Sequence, residues 1–206
     1  MDYLEAIDLK DVSLADALAP YLEHSAEKHH HLCPRQILGV RMGLAAGVAL
    51  GMSVPRKDKK MLVLVETDGC FISGVEASSG CSVNRRTMRV IDFGRIAATF
   101  INVKTGQAVR IAPRQDIRER AKLYAPEERR RYFAMLHGYQ RMPIHELLDV
   151  QPVQLTVSIK ALISRPGIRV DCDVCGEEII NEREVVQDGK TICRACAGDA
   201  YYLRMP

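Results

Sequence analysis

Four cysteines near the C-terminus have the spacing of a metal site. Cys172 and Cys175 form one CxxC pair, and Cys193 and Cys196 form a second pair after a segment of the length found in zinc ribbons. Each CxxC turn directs two thiolates toward one ion, and four thiolates complete a tetrahedral zinc shell. Because the closed shell leaves no position for a substrate, we predict a structural zinc.

Other uses of these four cysteines agree less well with the pattern. A catalytic zinc needs an open coordination position, and a redox CxxC pair does not need a matched second pair. Disulfides are rare in cytoplasmic proteins. Asp188–Gly189, between the two pairs, is typical of a hairpin turn. So short a segment folds only if metal binding contributes, on the order of 10 kcal/mol for structural zinc.

A second group of potential ligands lies directly before a hydrophobic segment. It comprises His29, His31 and Cys33, and Pro34 after them favours the first turn of a helix. A cysteine at the N-cap of that helix would have a lowered pKa, because the helix N-terminus favours a thiolate. Beside imidazoles, such a thiolate is a metal ligand or a nucleophile. A solvated histidine run without a role is the alternative, above all for His30.

Two further cysteines flank a predicted helix. Cys70 follows a predicted buried strand, and the carboxyl ends of strands are common ligand sites. Residues 71–79, if helical, separate Cys70 from Cys81 by roughly 15 Å, so the two cannot share an ion within one subunit. Either thiol could be a small hydrophobic group of the core, and Cys81 could act across a dimer. The predicted core site for zinc or another divalent ion, or for another ligand, therefore comprises His29, His31, Cys33, Cys70 and Cys81.

The elements that position these residues follow from hydrophobic periodicity and turn residues. Residues 36–50 are apolar nearly all round, which predicts a helix buried on most sides. The predicted elements are a helix from Ser13 to about Lys28, a helix 34–50, a strand 61–66, a helix 71–80, a strand 89–92, a hairpin of 96–103 and 107–112, a helix opened by Pro126, and an edge-like strand 153–163.

This order predicts an α+β core domain, residues 1–164, with a mixed or antiparallel sheet and packed helices. The segment SRPG, 164–167, is a predicted linker to a zinc-ribbon domain, residues 165–206. The net charge of +3 is too small to indicate a nucleic-acid partner, although the stretches RERAK and EERRR are locally basic. We find no membrane-length apolar stretch and no signal peptide, so we expect a cytoplasmic protein without a membrane partner.

Several arginines follow the Cys81 loop: Arg85, Arg86, Arg89 and Arg95. They are either a site for an anionic ligand or, as we prefer on sequence alone, a solvated basic face. Arg129–Arg131 are most simply a helix surface.

The whole set of motifs resembles one family, the formylmethanofuran dehydrogenase E-subunit family. Its histidine–x–histidine–x–cysteine–proline element is similar to residues 29–34 here. VETDGC (65–70), SSGC (78–81) and Asp92-Phe93-Gly94 followed by Ala98-Thr99-Phe100 resemble its later motifs. Many members carry a C-terminal four-cysteine zinc ribbon. Arg35 and His30 stand where the family has glycines, which changes what fits beside the predicted pocket.

The resemblance implies a core similar to the glyceraldehyde-dehydrogenase catalytic-domain class, homodimers, and a Cys/His pocket able to bind a metal. It implies an accessory role near one-carbon metabolism, with a partner enzyme or a small-molecule ligand. It does not carry the pterin machinery of the catalytic subunits, and whether this chain is an enzyme stays open.

The alternative function is that of an interaction module. The predicted ribbon resembles the zinc finger of regulators that dock onto RNA polymerase, and such ribbons contact protein or nucleic acid. Its arginines are Arg165, Arg169, Arg183 and Arg194, and its acidic residues include Glu177, Glu178, Glu182, Glu184 and Asp188. Because these acids offset the arginines, we expect weak affinity for phosphates.

Overall fold

The structure, a computed structural model, describes residues 14–27, 29–203 and 205. It divides into two compact units, Met1–Leu155 and Thr156–Pro206. The predicted cap Ser13 and the predicted helix end Lys28 lie outside the described residues. No helix in the described part of the chain is long and apolar enough to cross a membrane.

The first unit combines helices with one sheet, which confirms the predicted α+β class. Its elements are α1 Leu14–Glu27, α2 Pro34–Ala49, β1 Met61–Val65, α3 Cys70–Ser79, β2 Met88–Val90, β3 Ala98–Asn102, β4 Ala108–Pro113, α4 Ile117–Tyr124, α5 Arg131–Arg141, α6 Ile144–Leu147 and β5 Leu148–Val153.

The five strands form a mixed sheet in the order β2-β1-β3-β4-β5. β1 runs parallel to β2 and antiparallel to β3, and Val63 is in register with Met88 on one side and Phe100 on the other. All five residues of β1 are buried. Their burial explains the continuous hydrophobic run, because a central strand covered on both faces has no polar side.

Helices α2 and α3 cross at very short range. A Cβ added at Gly39 would lie 2.5 Å from the carbonyl oxygen of Phe71, and one added at Gly74 would collide with that of Gln36. Glycine allows this close approach because it has no side chain. The crossing lies one turn beyond the N-termini of both helices, so it brings the starts of α2 and α3 together.

A buried arginine of α2 fixes the C-terminal end of α5. The Arg41 guanidinium donates to the carbonyl oxygens of Tyr139 (3.0 Å), Gln140 (3.1 Å) and Met142 (2.8 Å). Burial lowers the pKa of Arg41 to about 10. These bonds satisfy carbonyls that the helix itself leaves without partners, and they attach α5 firmly to α2.

Two elements, a helix and a strand, occupy different residues from those predicted. The helix predicted from Pro126 begins only at Arg131, because Glu127 and Glu128 form ion pairs with Arg141 and His137 of α5 instead of continuing its first turn.

The strand predicted at 153–163 is also misplaced. The edge strand is β5, which ends at Val153, and Pro152 is tolerated there because β5 has no neighbour on one side. Residues 159–163 are instead helical, since the Ser158 hydroxyl accepts from the backbone N–H of Ala161 and caps the helix. Helices α4 and α6 were not predicted at all.

The second unit is small and consists of short elements. They are α7 Ile159–Ile163, β6 Arg169–Asp171, β7 Glu178–Ile180, β8 Val185–Gln187, β9 Lys190–Ile192 and a helical turn Ala195–Asp199. β6 pairs with β7, and β8 pairs with β9. The predicted turn Asp188–Gly189 is confirmed, with φ of +51° and +77°, as a two-residue hairpin requires.

Candidate metal sites

Cys33 occupies the N-cap of α2, as predicted. Its backbone is extended, with φ −128° and ψ 159°, and its N–H donates to the Gln36 side-chain oxygen at 2.7 Å. The Gln36 amide in turn donates to the carbonyl oxygen of Ser25 at 2.9 Å, which fastens the start of α2 to α1. The thiol is therefore held at a fixed helix terminus, almost out of contact with solvent.

The predicted lowering of the Cys33 pKa is wrong for the free thiol. Burial raises the pKa of Cys33, and the neighbouring Cys70 thiol adds to the rise. The backbone N–H groups of Gln36 and Arg35 oppose this effect but do not overcome it. The sequence showed the helix terminus but not the loss of hydration at its N-cap.

Cys70 is the first residue of α3, and a glycine places it there. Gly69, at the N-cap, has φ +74° and ψ −154°, a conformation that is essentially restricted to glycine. The half-buried Cys70 thiol lies near enough to Cys33 to raise the pKa of that thiol, and both thiols line one cavity. Its sulfur also lies 4.0 Å from Nδ1 of His29. Three of the predicted core ligands are thus neighbours.

The hydrogen bonds of the two histidines leave a nitrogen of each for a ligand role. Nδ1 of His31 lies 2.7 Å from the carbonyl oxygen of His29. Since a carbonyl only accepts, Nδ1 carries the proton and Nε2 has a free lone pair. Nε2 of His29 lies 2.8 Å from the Ser73 hydroxyl, which leaves Nδ1 facing Cys70. Metal-binding histidines generally show this pattern of one bonded and one free nitrogen.

The predicted core residues do not form a closed metal cluster in this structure. Among the described residues, groups of three or more ligand atoms within 4.8 Å of one another occur at only two places, and the core histidines and cysteines are not one of them. Cys81 lies apart: its buried thiol donates to the carbonyl oxygen of Met61 at 3.5 Å. It is absent from the lining of the cavity that Cys33 and Cys70 share.

That cavity has a volume of about 1050 Å³ and contains His31, Cys33 and Cys70 in its wall. Tyr132 of α5 completes this part of the wall, and its hydroxyl donates to the carbonyl oxygen of Leu32 at 3.3 Å. Burial and the two nearby thiols raise the pKa of Tyr132. No sequence motif pointed to Tyr132, because its place in this wall depends on how α5 packs in the fold.

The same cavity is lined by arginines from five parts of the first unit. They are Arg35, Arg95, Arg110, Arg114, Arg118 and Arg131. Arg35 was singled out as a residue that alters the pocket, and Arg95 as part of a possible anion site. Arg110, Arg114 and Arg118 were missed, and Arg131 was assigned to a helix surface. The basic stretch RERAK was the one signal that pointed to Arg118.

The four C-terminal cysteines converge in the second unit. Their sulfur atoms all lie within 4.8 Å of one another, and those of Cys175 and Cys193 are 3.9 Å apart. A tetrahedral site with zinc–sulfur bonds of about 2.3 Å places its sulfurs roughly 3.8 Å from one another. The arrangement therefore fits a zinc ion, while Ile179 and Ile192 pack beside Cys172 as a minimal core.

The electrostatics of this cluster also fit a cation. N–H groups, that of Cys175 foremost, lower the pKa of Cys172 to about 6. The neighbouring Cys193 thiol raises the pKa of Cys196 to about 12. Without a cation, the four sulfurs cannot all be thiolates at neutral pH, whereas a bound metal deprotonates coordinating thiols.

The second group of clustered ligand atoms, Glu127, Glu128 and His137, is explained without a metal. Nδ1 of His137 lies 2.6 Å from a carboxylate oxygen of Glu128, and Arg141 lies 2.5 Å from one of Glu127. These are surface ion pairs that fasten the turn before α5 to the helix.

Two known proteins are similar to most of this chain. One is a probable S-adenosyl-L-methionine-binding protein of Archaeoglobus fulgidus, 26% identical over 210 aligned positions that cover 89% of this chain. The chain spans about half of that relative's length, 54%. A solved structure, a tungsten formylmethanofuran dehydrogenase FmdE-like protein from Syntrophus aciditrophicus, is similar in fold. Its TM-score is 0.54 at 20% identity, over 95% of this chain and 98% of that one.

Two family models match separate parts of the chain. Residues 167–202 match the prokaryotic dksA/traR C4-type zinc finger, which includes all four C-terminal cysteines and supports zinc binding there. Residues 28–149 match the model described as FmdE, molybdenum formylmethanofuran dehydrogenase operon, which covers more than half of the chain. The chain therefore belongs to the FmdE family, with a C4-type zinc finger at its C-terminus.

Proposed function

We propose that this chain is a metal-binding accessory protein of one-carbon metabolism with two metal sites. The first is a structural zinc held by Cys172, Cys175, Cys193 and Cys196 in a ribbon domain of residues 165–206. The second is a divalent ion, zinc or another soft metal, bound in the core domain of residues 1–164.

One observation carries the core site: the N-termini of two buried helices bring Cys33 and Cys70 to the wall of one cavity, and Nδ1 of His29 lies 4.0 Å from the sulfur of Cys70. Two thiolates and an imidazole are a soft ligand set that favours zinc. His31, whose Nε2 is free and which lines the same cavity, is the fourth candidate. Cys81 is not part of this set within one subunit, because its thiol is bonded to Met61 in the core.

Such a site would bind metal only after its side chains draw closer together. A shell of three protein ligands leaves a position for water or a small molecule, and the cavity beside Cys33 and Cys70 has room for one. When bound, the metal would supply Lewis-acid chemistry at this position. The chain's own residues would hold the ligand against the thiols and limit access by water.

Elemental analysis of the full-length chain tests both sites. We expect about two metal equivalents in the unaltered protein, about one in Cys33→Ser/Cys70→Ser, and about one in Cys193→Ser/Cys196→Ser. Cys81→Ser is the matched control, since it removes a buried core thiol outside the cavity and should retain both metals. One equivalent in the unaltered chain, unchanged by Cys33→Ser/Cys70→Ser, would refute the core site.

A second proposal is that the zinc finger is an interaction module for protein. The second unit exposes large apolar side chains, among them Val174, Val186, Tyr201 and Leu203, with Tyr201 97% exposed. Residues 156–206 hold seven basic and eight acidic side chains, so attraction to nucleic-acid phosphates is not expected.

We also propose that the chain forms a homodimer. The edge strand β2 ends at the exposed Val90 (42%) and is followed by the exposed Ile91 (36%), and unpaired sheet edges favour association. Sedimentation equilibrium of the unaltered chain, Ile91→Glu and Val186→Glu would locate the contact. Loss of the dimer in one variant identifies the surface that forms the contact, and a monomeric unaltered chain would rule the homodimer out.

For the zinc finger, a mobility shift of nucleic acid by the chain at low salt would contradict the proposed preference for a protein partner.

A further inference from the structure

The cavity beside Cys33 and Cys70 has a strongly positive wall. Six arginines line it, and among the described lining residues Glu119 is the one carboxylate. Guanidinium groups remain charged at any physiological pH. Guanidinium groups that lack an acidic partner repel one another where they meet at one cavity, so such a wall favours a ligand of opposite charge.

Three of these six arginines already pair with carboxylates. Glu66 pairs with Arg95 at 2.9 Å and with Arg110 at 2.7 Å, and Glu119 pairs with Arg131 at 3.0 Å. The Glu66 carboxylate is buried and its pKa is lowered by Arg110 and then by Arg95. These three arginines therefore have structural partners, and two carboxylates offset two of their three positive charges.

The other half have no carboxylate partner in the described part of the chain. Arg35 follows the first proline of α2, Arg114 follows the end of β4, and Arg118 lies in the first turn of α4. All three line the cavity, although they come from segments about 80 positions apart in the sequence. A fold that gathers three uncompensated guanidinium groups at one concave surface offers bidentate donors for carboxylate or phosphate oxygens.

The remaining wall is apolar and the space is large. Leu38, Ile96, Ile117 and Met135 lie among the lining residues. The volume of about 1050 Å³ is at the upper end of the roughly 300–1,000 Å³ typical of sites for organic ligands. An inorganic ion would leave most of it unfilled, whereas an organic molecule with an apolar body and charged groups would match both parts of the wall.

We propose that this cavity binds an organic polyanion, a molecule with at least two phosphate or carboxylate groups on an apolar body. Its charged groups contact Arg35, Arg114 and Arg118, and its body lies along the apolar wall toward Cys33 and Cys70. The polyanion proposal rests on the proposed function in one respect. It names the class of ligand for the cavity that lies beside the proposed core metal site.

Calorimetric titration of the full-length chain at low salt, with ADP and separately with citrate, tests the proposal. ADP supplies phosphates on an aromatic body, and citrate supplies carboxylates, so the stronger binder identifies the charged group that the cavity prefers. We expect binding of at least one probe that weakens as salt rises. Arg114→Ala and Arg118→Ala should each weaken it about tenfold or more, since each removes charge-assisted hydrogen bonds.

Arg129→Ala is the matched control, because Arg129 is an exposed arginine of the same region that does not line the cavity. It should leave binding unchanged, and all three variants should unfold at the temperature of the unaltered chain. Failure of both probes to bind at millimolar concentration, or binding that Arg114→Ala and Arg118→Ala leave intact, would overturn the proposal.

Repeating the titration on Cys33→Ser/Cys70→Ser separates this proposal from the proposed function. Arginine-dependent binding to a chain whose metal content shows no core ion supports the polyanion site and rejects only the core metal. A chain with its core metal that binds neither probe rejects the polyanion site and leaves the metal site standing.

Discussion

The sulfur of Cys70 lies 4.0 Å from Nδ1 of His29, although the two residues are 41 positions apart. His29 belongs to the turn that follows α1, where its N–H donates to the carbonyl oxygen of Ala26 at 2.9 Å. Cys70 begins α3. Their proximity therefore depends on the packing of the first three helices, and it should respond both to changes in the ligands and to changes in that packing.

The hydrogen bond between His29 and Ser73 predicts a graded loss of core metal. His29→Ala removes a proposed ligand, whereas Ser73→Ala removes the hydroxyl that lies 2.8 Å from Nε2 and orients the ring. Such supporting groups typically contribute about 10- to 100-fold in metal affinity. We expect His29→Ala to release the core metal to a competing chelator at the lowest concentration, and Ser73→Ala at an intermediate one.

His30→Asn is the control for this series. His30 is exposed and has φ +56°, a conformation that asparagine tolerates, so the backbone of the turn should survive. Metal retention equal to that of the unaltered chain is expected. A His29→Ala protein that retains its core metal as well as His30→Asn does would remove His29 from the ligand set.

The helix crossing predicts that Gly74→Ala is destabilising. In an open helix this change would stabilise by up to about 1 kcal/mol. Here the added Cβ meets the carbonyl oxygen of Gln36, and overpacking of this kind costs about 1–3 kcal/mol. Urea denaturation should show the loss, and the metal content of the core should fall with it because α2 and α3 carry the two thiols. Equal or greater stability would show that the helices can separate without cost.

The features that were predicted correctly are set by neighbouring residues, whereas the features that were missed depend on contacts between residues further apart in the chain. Pro34 and the apolar run after it define α2 locally, and Asp188–Gly189 defines its hairpin locally, so both were predicted correctly. The start of α5 was misplaced because the side chains of Glu127 and Glu128 contact Arg141 and His137 further along the chain. Hydrophobic periodicity carries no information about such contacts.

The candidate site shows the same division. The ligand types at His29, Cys33 and Cys70 were visible from motifs, and the four zinc-finger cysteines from their spacing. The group of arginines that lines the cavity was not visible from the sequence. Arg35, Arg114 and Arg118 come to line one cavity only because the sheet and its helices fold together. The burial that raises the pKa of Cys33 is likewise a tertiary effect.

The buried carboxylate of Glu66 predicts an acid-sensitive contribution to stability. Arg110 and Arg95 hold the pKa of Glu66 below its ordinary value, so the stabilisation is present above the unfolded-state pKa of about 4.3 and is lost as pH falls through the folded-state pKa. Glu66→Gln should lower the free energy of unfolding at pH 7 by about 2 kcal/mol. In urea denaturation, the difference from the unaltered chain should shrink progressively as the pH is lowered below about 4.

Glu119→Gln provides the comparison for Glu66. The Glu119–Arg131 pair is exposed, with side chains 69% and 66% accessible, and exposed pairs contribute about 0–1 kcal/mol. The free energy of unfolding of Glu119→Gln should therefore differ little from that of the unaltered chain at pH 7 and at pH 3. A Glu66→Gln protein with the same stability deficit at pH 3 as at pH 7 would show that packing, not charge, is responsible.

The zinc finger predicts a selective response to metal removal. Only three side chains of the second unit's described residues, Cys172, Ile179 and Ile192, form its buried core, which is too little to fold without the metal. A strong chelator should therefore unfold residues 165–206 while the five-stranded sheet of the first unit stays folded. Limited proteolysis followed by mass spectrometry would show new cleavage sites confined to that segment, and added Zn²⁺ but not Mg²⁺ should suppress them.

The chelator-treated chain should match Cys193→Ser/Cys196→Ser in its cleavage pattern, because both lose the same ion. Resistance of the segment after its zinc is gone would mean that contacts other than the thiolates stabilise it.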